Sequence, residues 1–191
     1  MRFGAALNIE QIERLVDLRK AMPKVAARAL NRTGAKATTQ MVRTLTAQTG
    51  LARKIIKRAV KSIRASDRSL AYAMKTRGGN ISLRYFKARE TRAGVSAAPL
   101  GQRIIVPHTF MKAGHFPNRV RFDSKGRGKG MDRNVFIRVG KGRLPIEGGR
   151  SGVYIPTEML QGRSLAAFDQ LVTSDLPVQV ERAINDTLRG Y

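Results

Sequence analysis

The sequence predicts an α+β fold, and three observations carry that expectation. Apolar residues recur at helical spacing as far as residue 64, the period changes to two from Ser69, and helical spacing returns from about residue 164. The expected organisation is one domain in three parts. These are N-terminal basic helices over 1–66, a central antiparallel β-sheet with long loops over 67–160, and a C-terminal amphipathic helix over 161–191. No internal repeat interrupts this order.

The elements follow in turn. Asn8 with Gln11 three residues later reads as a helix N-cap and its capping-box partner, and Ile9, Ile12, Leu15, Val16 and Met22 then share one side of a helix over 9–21. Pro23 suits the first position of a second helix, whose small and apolar line runs Ala26, Leu30, Thr33, Ala37, Met41, Leu45 until Thr49-Gly50. Thr49 is positioned to cap a third helix through Ile63, with Ala52, Ile55, Ile56, Ala59 and Ile63 inward. The strings SLAYAMKT (69–76) and ISLRYFKA (81–88) alternate as strands, and Arg77-Gly78-Gly79-Asn80 between them is a hairpin turn. Shorter strand-like pieces follow at RIIVP, RVRF and NVFIRVG, and SKGRGKG (124–130) is a charged loop tip. The last helix offers Leu165, Phe168, Leu171, Val172, Val180, Ile184 and Leu188 as its buried stripe, with Pro177 as a kink site.

Charge is the outstanding compositional feature. Lys and Arg number 37 against 13 Asp and Glu, a formal net charge of +24 among 191 residues. With 42% hydrophobic residues the chain is no disordered basic tail, and its length suffices to bury about 70% of the unfolded surface. The excess is concentrated: no acid falls between Asp17 and Asp67, and residues 151–191 carry 3 basic and 5 acidic side chains. Something other than internal salt bridges is expected to neutralise residues 18–66. There is no cysteine, which removes disulfides, thiolate zinc sites and thiol nucleophiles. No apolar run approaches the roughly 18 residues that cross a bilayer, and Glu10, Glu13 and Asp17 interrupt any signal-peptide core. The expectation is a soluble protein without a membrane partner that stays in the cell that makes it.

No catalytic constellation emerges. Asp123, Asp132 and Glu147, with Lys125, are the residues a metal-dependent nuclease would use, but Asp123 borders the charged loop rather than a rigid strand end. Turn acids offsetting nearby Arg explain them better. His108 and His115 are spaced for no zinc signature, so neither a metal nor a cofactor is expected. KGRGKG and GKGRLPIEGG invite a phosphate-loop reading, but neither supplies GxxxxGK[ST] opening a helix.

Polyanion contact is the use the charge suggests. Lys24, Arg28, Arg32 and Lys36 form an i, i+4 ladder on the second helix. Arg53, Lys54, Lys57, Arg58 and Lys61 make the third helix the most basic surface in the chain, and Lys125, Arg127 and Lys129 add a basic loop. Each like-charge pair at i, i+4 costs about 0.2–0.5 kcal/mol, so a partner or solvent must offset the ladder. No zinc-finger, basic-zipper or RNP-type signature accompanies it, and Tyr85 and Phe86 are adjacent rather than on one face. Nucleic-acid contact would be phosphate-directed and sequence-blind. Acidic faces of neighbouring proteins would satisfy the same charge.

Colinear strings then resemble a known family. ALNRTGAKATTQMVRTLTAQTGLARKIIKRAVKSI (29–63) resembles the N-terminal part of the lambda-type minor tail protein Z family, the tail completion proteins of long-tailed phages. Ala29, Leu30, Asn31 and Arg32 match one family motif, and Leu51, Lys54, Ile56 and Arg58 a second. GRLPIEGGRSGVYIPTEML (142–160) is similar to a segment in which a Pro-Ile strand precedes a second Pro-bearing strand end. Residues 64–135 match in composition rather than residue by residue. The resemblance implies a non-enzymatic virion protein at the head-proximal end of the tail. It also implies a homo-oligomeric ring, hexameric by default, whose partners are tail tube or terminator proteins and head–tail connector proteins, with either DNA phosphates or acidic faces of neighbouring ring proteins against its basic helices. In such a ring the acidic C-terminal segment would meet a neighbour's basic helices. The alternative is a free-standing, sequence-nonspecific nucleic-acid-binding protein of nucleoid- or ribosome-associated type.

Overall fold

Helix α1 runs without interruption over Ile9–Thr49, 41 residues, in the computed structural model. The structure describes residues 9–115, 117–122, 131, 134–142 and 144–189. Two expected helices are therefore one, and Pro23 lies inside it. Proline's fixed φ is helical, so what it removes is its own N–H bond, and the Ala-, Leu-, Lys- and Arg-rich residues on either side favour helix strongly enough to continue through it. The Asn8 cap lies outside the described residues, as do the side chains of Ile9, Ile12 and Leu15. Val16 and Met22 are exposed rather than buried.

Thr49 closes α1 instead of capping the next helix. Its hydroxyl donates to the Leu45 carbonyl at 2.7 Å and accepts from the Leu51 amide at 3.3 Å. Gly50, at φ +75°, takes the left-handed position that ends the helix. Helix α2, Arg53–Ala59, begins after Ala52, which gives no side-chain cap. It stops four residues short of the expected end: Val60 turns extended (φ −87°, ψ 118°), and the β-branched pair Val60 and Ile63 bounds strand β1, Val60–Ile63. β1 pairs with β2, Ala73–Thr76. The expected hairpin of 69–76 with 81–88 is thus replaced. Residues Leu83–Tyr85 form a 3-10 turn, because Leu83 and Phe86, three apart, are both buried while Tyr85 is exposed.

The chain forms two compact units. One comprises Met1–Gln40, Lys61–Lys75 and Ala166–Tyr191. It contains most of α1 and most of helix α4, Gly162–Leu188, which runs through Pro177. Val25 and Ala29 of α1 bury against Ala183 of α4, with Ile184 packed alongside. The buried positions of α4 are Ser164, Gln179 and Ala183. The expected stripe of larger residues is half-buried at Phe168, Leu171, Val172 and Ile184 but exposed at Leu165, Val180 and Leu188. Asn31 ties α1 to the segment after β1: its amide donates to the Ala65 carbonyl and accepts from the Ala65 amide, both at 2.9 Å.

The other unit comprises Met41–Val60 and Thr76–Leu165. Leu45, Leu51, Ile56, Leu83 and Phe86 are among its fully buried side chains, and each such burial contributes about 1.5–3 kcal/mol. Its strands are short: β3 Arg89–Thr91, β4 Gly94–Ala97 and β5 Ile104–Val106 make one antiparallel sheet in that order. β6 Thr109–Phe110, β7 Phe136–Arg138 and β8 Ile146–Gly148 make a second. RIIVP and NVFIRVG therefore contain strands, whereas RVRF supplies only a bridge from Val120 to Ala113. The second Pro-bearing segment, expected as a strand end, opens helix α3, Ile155–Met159, because Pro156 suits a first helical turn. Gln48 of α1 satisfies the start of α4 within this unit: its Oε1 accepts from the Ser164 amide at 3.1 Å and hydroxyl at 2.9 Å. The architecture is α+β, with a long N-terminal helix, small antiparallel sheets in the middle and a C-terminal helix.

Candidate polyanion-contact surface

The basic ladder of α1 flanks a buried face, about 100° around the helix from it. Val25, Ala29, Thr33 and Ala37 are buried, whereas Lys24, Arg28, Arg32 and Lys36, each one position back, are exposed. The two ends of the ladder differ. Arg32 directs both terminal guanidinium nitrogens to Asp186 Oδ2 at 3.2 Å, and Lys36 Nζ meets Asp175 Oδ1 at 2.5 Å. Lys24 and Arg28 have no acidic partner among the described residues.

Asp175 is the better-buried acid, with its side chain 18% exposed. It also accepts from the Thr33 hydroxyl at 3.0 Å and the Gln179 amide at 3.2 Å. The Lys36 hydrogen bond, seconded by Gln179 and Thr33 and opposed by burial, holds its carboxyl below the usual carboxylate value. The expectation that nothing internal neutralises residues 18–66 is corrected by this pairing: the C-terminal helix supplies two carboxylates to its own chain. Asp175 is consequently taken up within its own chain, whereas Asp169, Glu181 and Asp186 of α4 are exposed.

α2 and β1 carry the denser charge. Leu51 and Ile56 anchor the segment in the core, which leaves Arg53, Lys54, Lys57 and Arg58 exposed around the helix. Lys61 is exposed too, on a strand rather than on the expected helix. None of the five meets an acid among the described residues. Lys57 and Arg58 occupy the last turn of α2, where the helix dipole favours cations. Lys125, Arg127 and Lys129 lie outside the described residues, as do Asp123 and Asp132.

Motif residues acquire separate structural roles. Ala29 packs on Ala183, Asn31 clamps Ala65, and Arg32 pairs with Asp186, while Leu51 and Ile56 are core and Lys54 and Arg58 surface. Elsewhere, His108 and His115 are exposed, and no three metal-ligating side chains converge among the described residues. Glu147 is exposed on β8, and the GKGRLPIEGG string runs into that strand rather than into a helix.

One feature had no sequence signal. The β-rich unit holds a cleft of about 1230 Å³ lined by Arg92, His108, Lys112, Arg119, Arg138 and Lys141, together with Phe110 and Phe122. These cations are scattered over fifty residues of short strands and turns, so no period or motif groups them. Among the described residues, no helix is long and apolar enough to cross a membrane.

Comparison with known families matches residues 4–191 to the family described as Prophage minor tail protein Z (GPZ). No curated protein and no solved structure matches the chain. With the match spanning nearly all of its length, the chain belongs to the prophage minor tail protein Z family and is a structural component of the phage tail.

Proposed function

We propose that the protein is a tail completion component at the head-proximal end of a long-tailed phage tail, where copies form a ring that joins tail to head around the genome path. The observation that carries this reading is the cluster Arg53, Lys54, Lys57, Arg58 and Lys61, all exposed and without an acid among the described residues. Lys24 and Arg28 extend that character onto α1, and Arg32 and Lys36 contribute what their own-chain carboxylates leave. The role is structural rather than catalytic. A surface of this kind binds either DNA phosphates without reading bases or acidic faces of neighbouring ring proteins. Asp169 and Glu181 are the acids of α4 available to an adjacent copy.

Salt dependence separates the two partners. If duplex phosphates are bound, log affinity falls linearly with log salt, with a slope of about −0.9 per phosphate neutralised. Changing Arg53, Lys54, Lys57 and Arg58 to Gln then weakens binding and flattens the slope by about 0.9 for each phosphate no longer neutralised. Duplex affinity insensitive to salt excludes the DNA version and leaves protein–protein contact. Sizing the purified chain alone and with tail-tube protein tests the ring. A monomer that joins no tail or head component favours the free-standing nucleic-acid-binding reading.

A further inference from the structure

The cleft of the β-rich unit lies outside this reading, since none of the α1 or α2 cations lines it. We propose that it is a binding site for single-stranded nucleic acid. Its described lining contains no Asp or Glu. The neighbouring carboxylate, Glu90, is already engaged by Arg119 and by the Met111 amide at 3.2 Å. Arg92, Lys112 and Lys141 therefore face the cleft without an acidic partner among the described residues.

The aromatic residues decide between polyanions. Phe110 and Phe122 line the cleft, and each is fixed against Phe136, with ring centroids 5.9 Å apart in both pairs. Arg138 lies over the Phe110 ring, 5.0 Å from its centroid, which holds a guanidinium beside the apolar wall. Rigid rings set among cations suit unstacked bases strung on phosphates. An acidic peptide would use the cations but has no bases to offer the rings, and a duplex is too wide and stiff to enter a concave site. The volume, about 1230 Å³, exceeds the roughly 300–1,000 Å³ of small-molecule pockets and fits a length of polymer.

Fluorescence anisotropy with a labelled twenty-residue thymidine strand tests the site on the full chain. The variant R92Q/K112Q/K141Q is expected to bind at least tenfold more weakly and to flatten the log–log salt slope by about 2, at about 0.7 per phosphate on a single strand. R53Q/K54Q/K57Q removes the same charge from α2 and is expected to change strand affinity less. R92K/K112R/K141R, which keeps the charge, is expected to bind like the wild type. Equal losses in the two Gln variants would reduce the effect to net charge and overturn the proposal, as would an unchanged R92Q/K112Q/K141Q. Displacement of the strand by polyglutamate at equal charge concentration would assign the cleft to an acidic polypeptide instead.

Discussion

Gly34 faces the Tyr72 ring so closely that a Cβ there would run into the ring carbons, and the Tyr72 hydroxyl is held by Thr38 at 2.8 Å. Alanine would gain about 1 kcal/mol of helix propensity, but overpacking a fixed ring costs about 1–3 kcal/mol. Gly34→Ala is therefore expected to lower the melting temperature, and an unchanged or higher one would mean Tyr72 gives way freely. Asp175 makes a second residue-scale prediction. Its folded carboxyl sits below the usual value because of Lys36, so its contribution is complete above the unfolded carboxylate value, near 3.9, and is lost as pH falls through that value towards the lowered folded one. Urea melts at pH 7 and pH 3 should show wild type losing more stability than Asp175→Asn. Equal losses would remove Asp175 from the acid sensitivity. Arg32–Asp186, with side chains 41% and 48% exposed, is expected to add little.

At the scale of elements, Asn31 joins α1 to the backbone after β1 through a reciprocal pair of bonds to buried Ala65. Asn31→Ala leaves both backbone groups unpaired and is expected to cost about 1–3 kcal/mol, read from a denaturant midpoint. A cost below about 0.5 kcal/mol would show that water replaces the amide. Long helices were legible because their spacing persists: of the expected line along α1, Thr33, Ala37, Met41 and Leu45 are buried, whereas Ala26 and Leu30 are half-buried and Val25 and Ala29 take the inward positions. Pro23 misled because a residue that suits a helix start also fits, at the loss of one bond, inside a strongly helical stretch. Residues 81–88 misled because Leu83 pairs inward with Phe86 at a 3-10 spacing, not with Tyr85 at a strand spacing. Strands of two to four residues, such as β3, β4, β6 and β8, are too short to display a period. On α4 the large apolar stripe is half-buried at Phe168, Leu171, Val172 and Ile184 only, since the fully buried positions went to Ser164, held by Gln48, and to Gln179 and Ala183. The cations of α1 and those of α2 were each readable from their spacing, whereas the cleft was not, because folding alone brings Arg92, Lys112 and Lys141 to one cavity.

For the whole molecule, 37 Lys and Arg stand against 13 Asp and Glu, so a net charge of +24 is left for partners other than the chain's own carboxylates. Asp175 and Asp186 take Lys36 and Arg32, Asp17 and Glu90 take Lys20 and Arg119, and the α2 cations are among those without an acid among the described residues. A phage tail protein with that remainder is equipped for an acidic neighbour, whether that neighbour is DNA or protein. The most direct measurement is reconstitution: particles assembled without this chain, then supplied with the purified protein, with joined heads and tails counted by electron microscopy. Filled heads and separate tails are expected before addition, joined particles after it, and few with a well-folded R53Q/K54Q/K57Q/R58Q variant. Heads and tails that join without the protein would contradict the account.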